Sequence, residues 1–572
     1  MFLATRIKVL AAWFAVLAVF SLADRSSAQT TGTVMSGTVG ATLYVDGPAI
    51  HASDSNQGTR AAPLRTIGAA TAIAIRNRAR NVGTRIVVSP GVYREAITVG
   101  SARSEKPAPI IIEGAGNGRV TVSGANIWQG WQRTNSSVWT HSWPYSWGLA
   151  SIPAGWESQR ITPIVRRREM IIVNGHSLEQ VMSRREVERA NASFYVDDDA
   201  HITYVHPQAG TILDTATVEV AERNSLFRIE GGGNIVVRGL TFEYSNGPMQ
   251  EAAVTVENSS NVTIADCLLV WNNWLGLSVR ATNGFTIRNS KANFNGGAGM
   301  TLWRVNDLLL ENSETSHNNW RGAAGGFIGW APAGIKSLQI TNAVYRGLVA
   351  IANQTRGVWF DTDCSDVVVD NAFICGNQTD GVFIEANPGP IGLTHSIICD
   401  NRDGAGVLSG NSSGVSLNND ILYNNGKSQI LISGMYDTPR PIKRWKTGQT
   451  QMLVSDHWNL QHDVIVGSGA ESLIATTLAP EFWKDFVDTL TSHDNLWFNP
   501  DRSDVFRMAG GERLNFAGWQ SRSRDQGSIF EDPHFTDAAN YKFMPGAGSR
   551  LSGRNLPVAP PEIAERFRNA SE

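Results

Sequence analysis

Asparagines recur along this chain on a fixed beat. Asn272, Asn295 and Asn318 lie 23 residues apart, and Asn353, Asn377, Asn401 and Asn425 lie 24 apart. Apolar triplets keep the same time. Val262-Thr263-Ile264, Phe285-Thr286-Ile287 and Leu308-Leu309-Leu310 step by 23; Val367-Val368-Val369, Ile391-Gly392-Leu393 and Val415-Ser416-Leu417 step by 24. A period of this length is carried here by short strands, three to a turn, between turn residues. It suits one coil of a solenoid. The expected fold is therefore all-β: a right-handed parallel β-helix in which each coil buries its apolar face against the next. The repeated Asn residues are expected at a bend, bonded to the backbone of neighbouring coils.

A solenoid needs a cover over its first open coil. The Ala/Ile-rich stretch from Thr66 to Arg78 has helical spacing, with Thr66 as N-cap, and is expected to be that cover. From Asn126 to Arg223 the beat stops, six Trp crowd between Trp128 and Trp156, and short strands follow. This reads as an inserted antiparallel β-domain, its Trp residues either core or sugar-stacking surfaces. Beyond Gly434 the period blurs; Trp445 to Trp458 reads as a long loop and Pro480 to Asp488 as a short helix. The expected layout is a signal peptide over 1–28, cap and first coils over 29–125, the insert over 126–223, central coils over 224–434 and C-terminal coils, loops and cap over 435–572.

The N-terminus carries Arg6 and Lys8, an apolar run from Val9 to Leu22 and the small residues Ser26-Ser27-Ala28. This is the pattern of a secretory signal, so a secreted or periplasmic protein is expected, with no membrane-spanning segment once the signal is removed. A formal charge of −3 gives no reason to expect nucleic acid as a partner. Of the four cysteines, Cys375 and Cys399 lie one 24-residue period apart, either as a disulfide or as stacked small buried residues. The cysteine spacing lacks a zinc-ligand motif, and no metal or organic cofactor is expected.

Aligning coils on their strand-opening glycines (Gly276, Gly299, Gly326, Gly357 and Gly381) gives two rows. Val279, Leu302, Phe360 and Ile384 point inward. Arg280, Trp303, Trp330, Asp361, Glu385 and, one coil on, Ser409 point outward. Trp359 and Phe383 lie one step back on the outward face. Stacking thus sets Asp361 over Glu385 on neighbouring strands about 4.8 Å apart. Like charges placed opposite one another destabilise a sheet, and such a conflict is expected where function demands it.

Three chemistries could use the pair. The first is glycoside hydrolysis: carboxyl groups about 5–5.5 Å apart support a retaining mechanism, those about 6.5–9.5 Å apart an inverting one, and adjacent coils predict the shorter distance. The second is a polysaccharide lyase, with Asp361, Asp363 and Glu385 as oxygen ligands for Ca²⁺ and a basic residue such as Arg280 or Arg356 nearby; the aligned strands show no Lys. The third is a non-catalytic glycan-binding solenoid.

Gly357-Val358-Trp359-Phe360-Asp361, then Phe383-Ile384-Glu385 and Gly389-Pro390, resemble the parallel β-helix β-xylosidases of glycoside hydrolase family 120. Those enzymes also interrupt the β-helix with a β-domain. The resemblance implies Asp361 as nucleophile and Glu385 as general acid/base. The chain departs from the family pattern at Thr362 and Pro388. The resulting expectation is an exported glycosidase acting on an oligo- or polysaccharide with retention, with Trp303, Trp330, Trp359, Asp363, Asn387 and Arg280 contacting the sugar.

Overall fold

The computed structural model describes residues 37–100, 107–116, 118–434 and 438–571. The signal-peptide expectation, at residues 1–28, lies outside them. The chain winds into a right-handed parallel β-helix whose short strands stack into long parallel sheets. On one face Leu277–Arg280 stacks on Met300–Trp303, then Ile335–Leu338, Val358–Asp361, Val382–Ile384 and Val407–Ser409. A second face runs through Val262–Ile264, Phe285–Ile287, Leu308–Leu310, Ala343–Tyr345 and Val367–Val369. A third carries Phe373–Cys375, Ile397–Cys399 and Ile421–Tyr423. Alternate residues of these strands fill one continuous apolar core, as the period-2 geometry of strands requires. Among the described residues no helix is long and apolar enough to cross a membrane.

The asparagines form a buried ladder. Each side-chain amide donates to the carboxamide oxygen one coil on, Asn272 to Asn295 at 3.0 Å, then Asn318, Asn353, Asn377, Asn401 and Asn425, whose own amide donates to Gln429, four residues on, at 2.7 Å. The same oxygen takes a backbone N–H, as Asn401 Oδ1 does from Asn377. Each rung therefore satisfies polar groups that would be costly to bury unpaired. Beside the ladder, Cys375 and Cys399 form a disulfide between consecutive coils.

The helix Ile67–Ala79 covers the first coil. The Thr66 hydroxyl accepts the Ala69 N–H, and Ile67, Ala70 and Ala74 are buried. Between Gly124 and Glu222 the chain leaves the solenoid. Ala125–Ile127, Ile171–Val173, His176–Ser177 and Val218–Ala221 make one antiparallel sheet. Trp139–Ser142, Ser193–Asp197 and Ile202–His206 belong to a second. Trp131, Trp139 and Trp143 are the buried core between them, so these three rings pack rather than stack on sugar. The solenoid closes over the interruption: Val120–Ser123 pairs with Leu240–Glu243. Fully buried Arg321 ties the insert down, donating to the Glu169 carbonyl and the Gln180 Oε1, each at 2.8 Å.

The region after Gly434 differs from expectation. Arg440–Lys443 and Thr450–Leu453 pair as an antiparallel hairpin, where a loop was expected from Trp445. The hairpin packs Ile442 and Leu453 on Ala386, which presses it onto the outward face. Pro480–Thr489 and Phe516–Ser523 are helices, and Trp497, Phe506 and Trp519 close the core at that end.

Candidate active site

The register sets Phe360 opposite Ile384. Asp361 and Glu385, each the next residue, hold the same position on neighbouring strands. The row above them is not the expected one. Leu338, not Trp330, lies opposite Asp361, and Lys336 lies opposite Trp359. The coil after Gly299 is lengthened by the helix Trp320–Ala324 and its flanking loop, so the next strand opens at Gly334 rather than Gly326. Below, Glu385 meets Gly410, and Ser409 is buried opposite Ile384. One extra residue in that coil displaces Ser409 from the outward row.

The missed Lys336 changes the chemistry. Its Nζ lies 2.9 Å from Asp361 Oδ2 and 3.5 Å from the centre of the Trp359 ring. Thr362 Oγ1 donates to Asp361 Oδ1 at 2.9 Å. Burial raises the Asp361 pKa, but the Lys336 charge and the hydrogen bonds from Lys336 and Thr362 outweigh it and hold the carboxyl below the ordinary aspartate range. Asp361 is a carboxylate at neutral pH.

Asp361 and Lys336 reach a cleft of about 490 Å³ walled by Trp156, Trp274, Trp303 and Trp330, with Arg280 and Gln250 at its side. Trp156 comes from the insert and meets Trp330 edge-on at 5.0 Å. Trp303 is 38% exposed, its Nε1 donating to Gln339 at 2.9 Å. Apolar rings beside a few aimed polar groups are what a sugar site needs. Of the expected sugar contacts, Trp303, Trp330 and Arg280 line this cleft.

Three others do not. Trp359 is buried, its ring covered by Lys336 and Arg356 and its Nε1 donating to Glu385 Oε2 at 3.1 Å. Asn387 is fully buried, accepting the Cys364 N–H and donating to the Phe360 carbonyl, a backbone-bonding residue like the ladder asparagines. Asp363 is only 1% exposed and accepts from Arg444 Nε and the Trp445 N–H, each at 2.6 Å. These two side chains are consumed by structure, not free for a sugar.

Glu385 is likewise covered. It is 3% exposed, and Arg440 of the hairpin donates to its Oε1 at 2.8 Å. Each acid of the expected calcium trio therefore has its own cation: Asp361 has Lys336, Glu385 has Arg440 and Asp363 has Arg444. The three do not gather three ligand atoms within 4.8 Å of one another, so the calcium arrangement expected for a lyase is not formed.

A family model for a right handed beta helix region matches residues 225–434. No curated protein matches the chain in sequence. Among solved structures, the complex of XylC with xylose superposes with a TM-score of 0.65 at 16% identity, covering 86% of this chain and 87% of that one. A glycoside hydrolase aligns at 12% identity over 86% and 96%, with a TM-score of 0.44. The A-module of the Azotobacter vinelandii mannuronan C-5 epimerase AlgE6 aligns at 12% identity over 84% and 97%, also with a TM-score of 0.44. At these identities the likeness is one of fold.

Proposed function

We propose that the protein is a carbohydrate-active enzyme that hydrolyses a glycosidic bond in the Trp-walled cleft. The observation that carries this reading is the Asp361 carboxylate, kept ionised by Lys336 on the cleft wall, one strand above Glu385. The xylose complex of XylC offers a sugar-binding precedent on this fold. In the proposed reaction Glu385, freed from Arg440, takes a proton from solvent; an Asp361 oxygen then attacks the anomeric carbon as the glycosidic C–O bond breaks, and Glu385 passes that proton to the departing oxygen. Glu385 then takes a proton from water, which opens the glycosyl ester with net retention. Glu385 must lose the Arg440 contact to play this part. The Trp rings stack on sugar faces, and export is the compartment we assign.

One observation favours a second reading. Lys336 and Arg280 both enter the cleft, and two cations suit the carboxylate of a uronate residue, the substrate of an eliminating lyase. Digesting a glycan panel and weighing the products separates the two. Hydrolysis adds the mass of water; elimination adds none and leaves an ultraviolet-absorbing double bond. Proton NMR of the first-formed anomer then tests retention. Glycan binding with no product in any arm would overturn both enzymatic readings.

A further inference from the structure

A second cluster of chemically capable side chains lies far along the solenoid, among its last coils. Strand Asn459–Gln461 stacks on Thr491–His493, with Gln461 opposite His493. The next residue in each coil, His462 and Asp494, therefore shares one turn position on adjacent coils. Both have left-handed backbones, φ 59° and 57°, as do Asn371, His395 and Asn419 at the same turn of earlier coils. Asn, Asp and His tolerate that conformation better than other L-residues, which accounts for this column. It does not account for His493, the strand residue beside it. His493 Nδ1 lies 2.9 Å from Asp494 Oδ2, and the rings of His462 and His493 meet edge-on at 5.7 Å.

We propose that His462, His493 and Asp494 bind one divalent transition-metal ion and that it fastens these two coils together. One ligand atom from each of the three lies within 4.8 Å of the others. A tetrahedral zinc ion with bonds of about 2.0–2.2 Å needs ligand atoms about 3.3–3.6 Å apart. The His493–Asp494 pair, hydrogen-bonded at 2.9 Å, opens by about half an ångström to reach it. His462 is exposed and supplies the remaining closure by side-chain rotation. Two imidazoles and one carboxylate select zinc, cobalt, nickel or copper over calcium or magnesium, and water fills the fourth position. Arg554 and Asn555 line the same recess.

Titration calorimetry of the chelator-treated full-length chain with zinc chloride tests this. One saturable site per chain is expected, with no comparable calcium binding and a rise in thermal midpoint on adding zinc. His462→Ala and Asp494→Asn should each weaken zinc binding roughly tenfold or more. Cobalt should give visible absorption bands of a tetrahedral site that His462→Ala abolishes. The proposal is overturned if the wild-type chain shows no saturable zinc binding, or if either variant binds zinc as tightly as wild type. Both substituted side chains are at the surface and outside the cleft, so circular dichroism of the variants should match wild type.

Discussion

Asp361 and Glu385 occupy the same position on successive strands, yet their surroundings are opposite. Asp361 faces an open cleft with Lys336 at its side. Glu385, one coil on, is closed under the hairpin, with Arg440 on one oxygen and the Trp359 indole on the other. Stacking like charges costs stability, and the chain answers by giving each carboxylate a separate cation from a different part of the sequence. Lys336 comes from the neighbouring coil and belongs to the solenoid. Arg440 comes from a hairpin laid on top of it. The first partner is fixed by the coil, whereas the second can leave with its hairpin without unstacking a rung.

The largest effect should come from Asp361→Asn. On the hydrolase reading, loss of the nucleophile lowers kcat on the order of 10⁴-fold or more, measured on whichever glycan the panel identifies, with the far-ultraviolet spectrum unchanged. Glu385→Gln should cost about 10²–10⁴-fold. Its loss should be greatest on substrates with poor leaving groups; a uniform loss across leaving groups would remove Glu385 as the acid. Next is Lys336→Met, which strips Asp361 of the charge that outweighs burial. The acid limb of the pH–activity profile should then move up by about one to three pH units. The sign for stability follows from the lowered pKa. The folded-state advantage of ionised Asp361 is present above the unfolded carboxyl pKa of about 3.9 and is lost as pH falls through the lower folded value. In denaturant titrations Lys336→Met should lose this contribution at neutral pH and differ less from wild type in strong acid. The smallest effect is expected of Arg440→Ala, about 1.5–3 kcal/mol of stability, the worth of a hydrogen bond to a charged group whose donor is itself partly exposed. Arg440→Ala combined with Glu385→Gln should recover part of that loss; no recovery would mean that the pair is not coupled.

Much of the solenoid was legible because its repeats are local. The beat from Asn353 to Asn425 is unbroken, and a buried amide bonding to the next coil leaves little freedom for anything but Asn at that bend. The carboxylate row was legible for the same reason, since Gly357 and Gly381 are one clean period apart. Legibility failed where coil length changes. Gly299 to Gly334 spans 35 residues, and choosing Gly326 as the strand start put Trp330 in the row and hid Lys336. The signal was there to find: Gly334 lies 23 residues before Gly357, and Ile335 follows it where Val358 follows Gly357. The hairpin contacts were beyond local pattern. Arg440 meets Glu385 across 55 residues and Arg444 meets Asp363 across 81, and nothing in the spacing of charges between them marks either pair.

The point where the insert departs has a consequence for how such a molecule can be altered. Gly124 O accepts the backbone N–H of both Glu222 and Arg223, so the chain leaves and rejoins the coil through one doorway. The rungs on either side of that doorway stack on each other directly. Everything between packs back on those coils, through buried Arg321 and through Val165 clustered with Met249, Trp274 and Phe327, and Ala154, Gly155 and Trp156 form one wall of the cleft. An exchange of this insert would replace a wall of the cleft and leave the asparagine ladder and Asp361 in place, provided the newcomer kept partners for Arg321 and cover for Met249 and Trp274. The cleft wall and the coil that carries Asp361 thus come from separate stretches of chain joined by a few contacts.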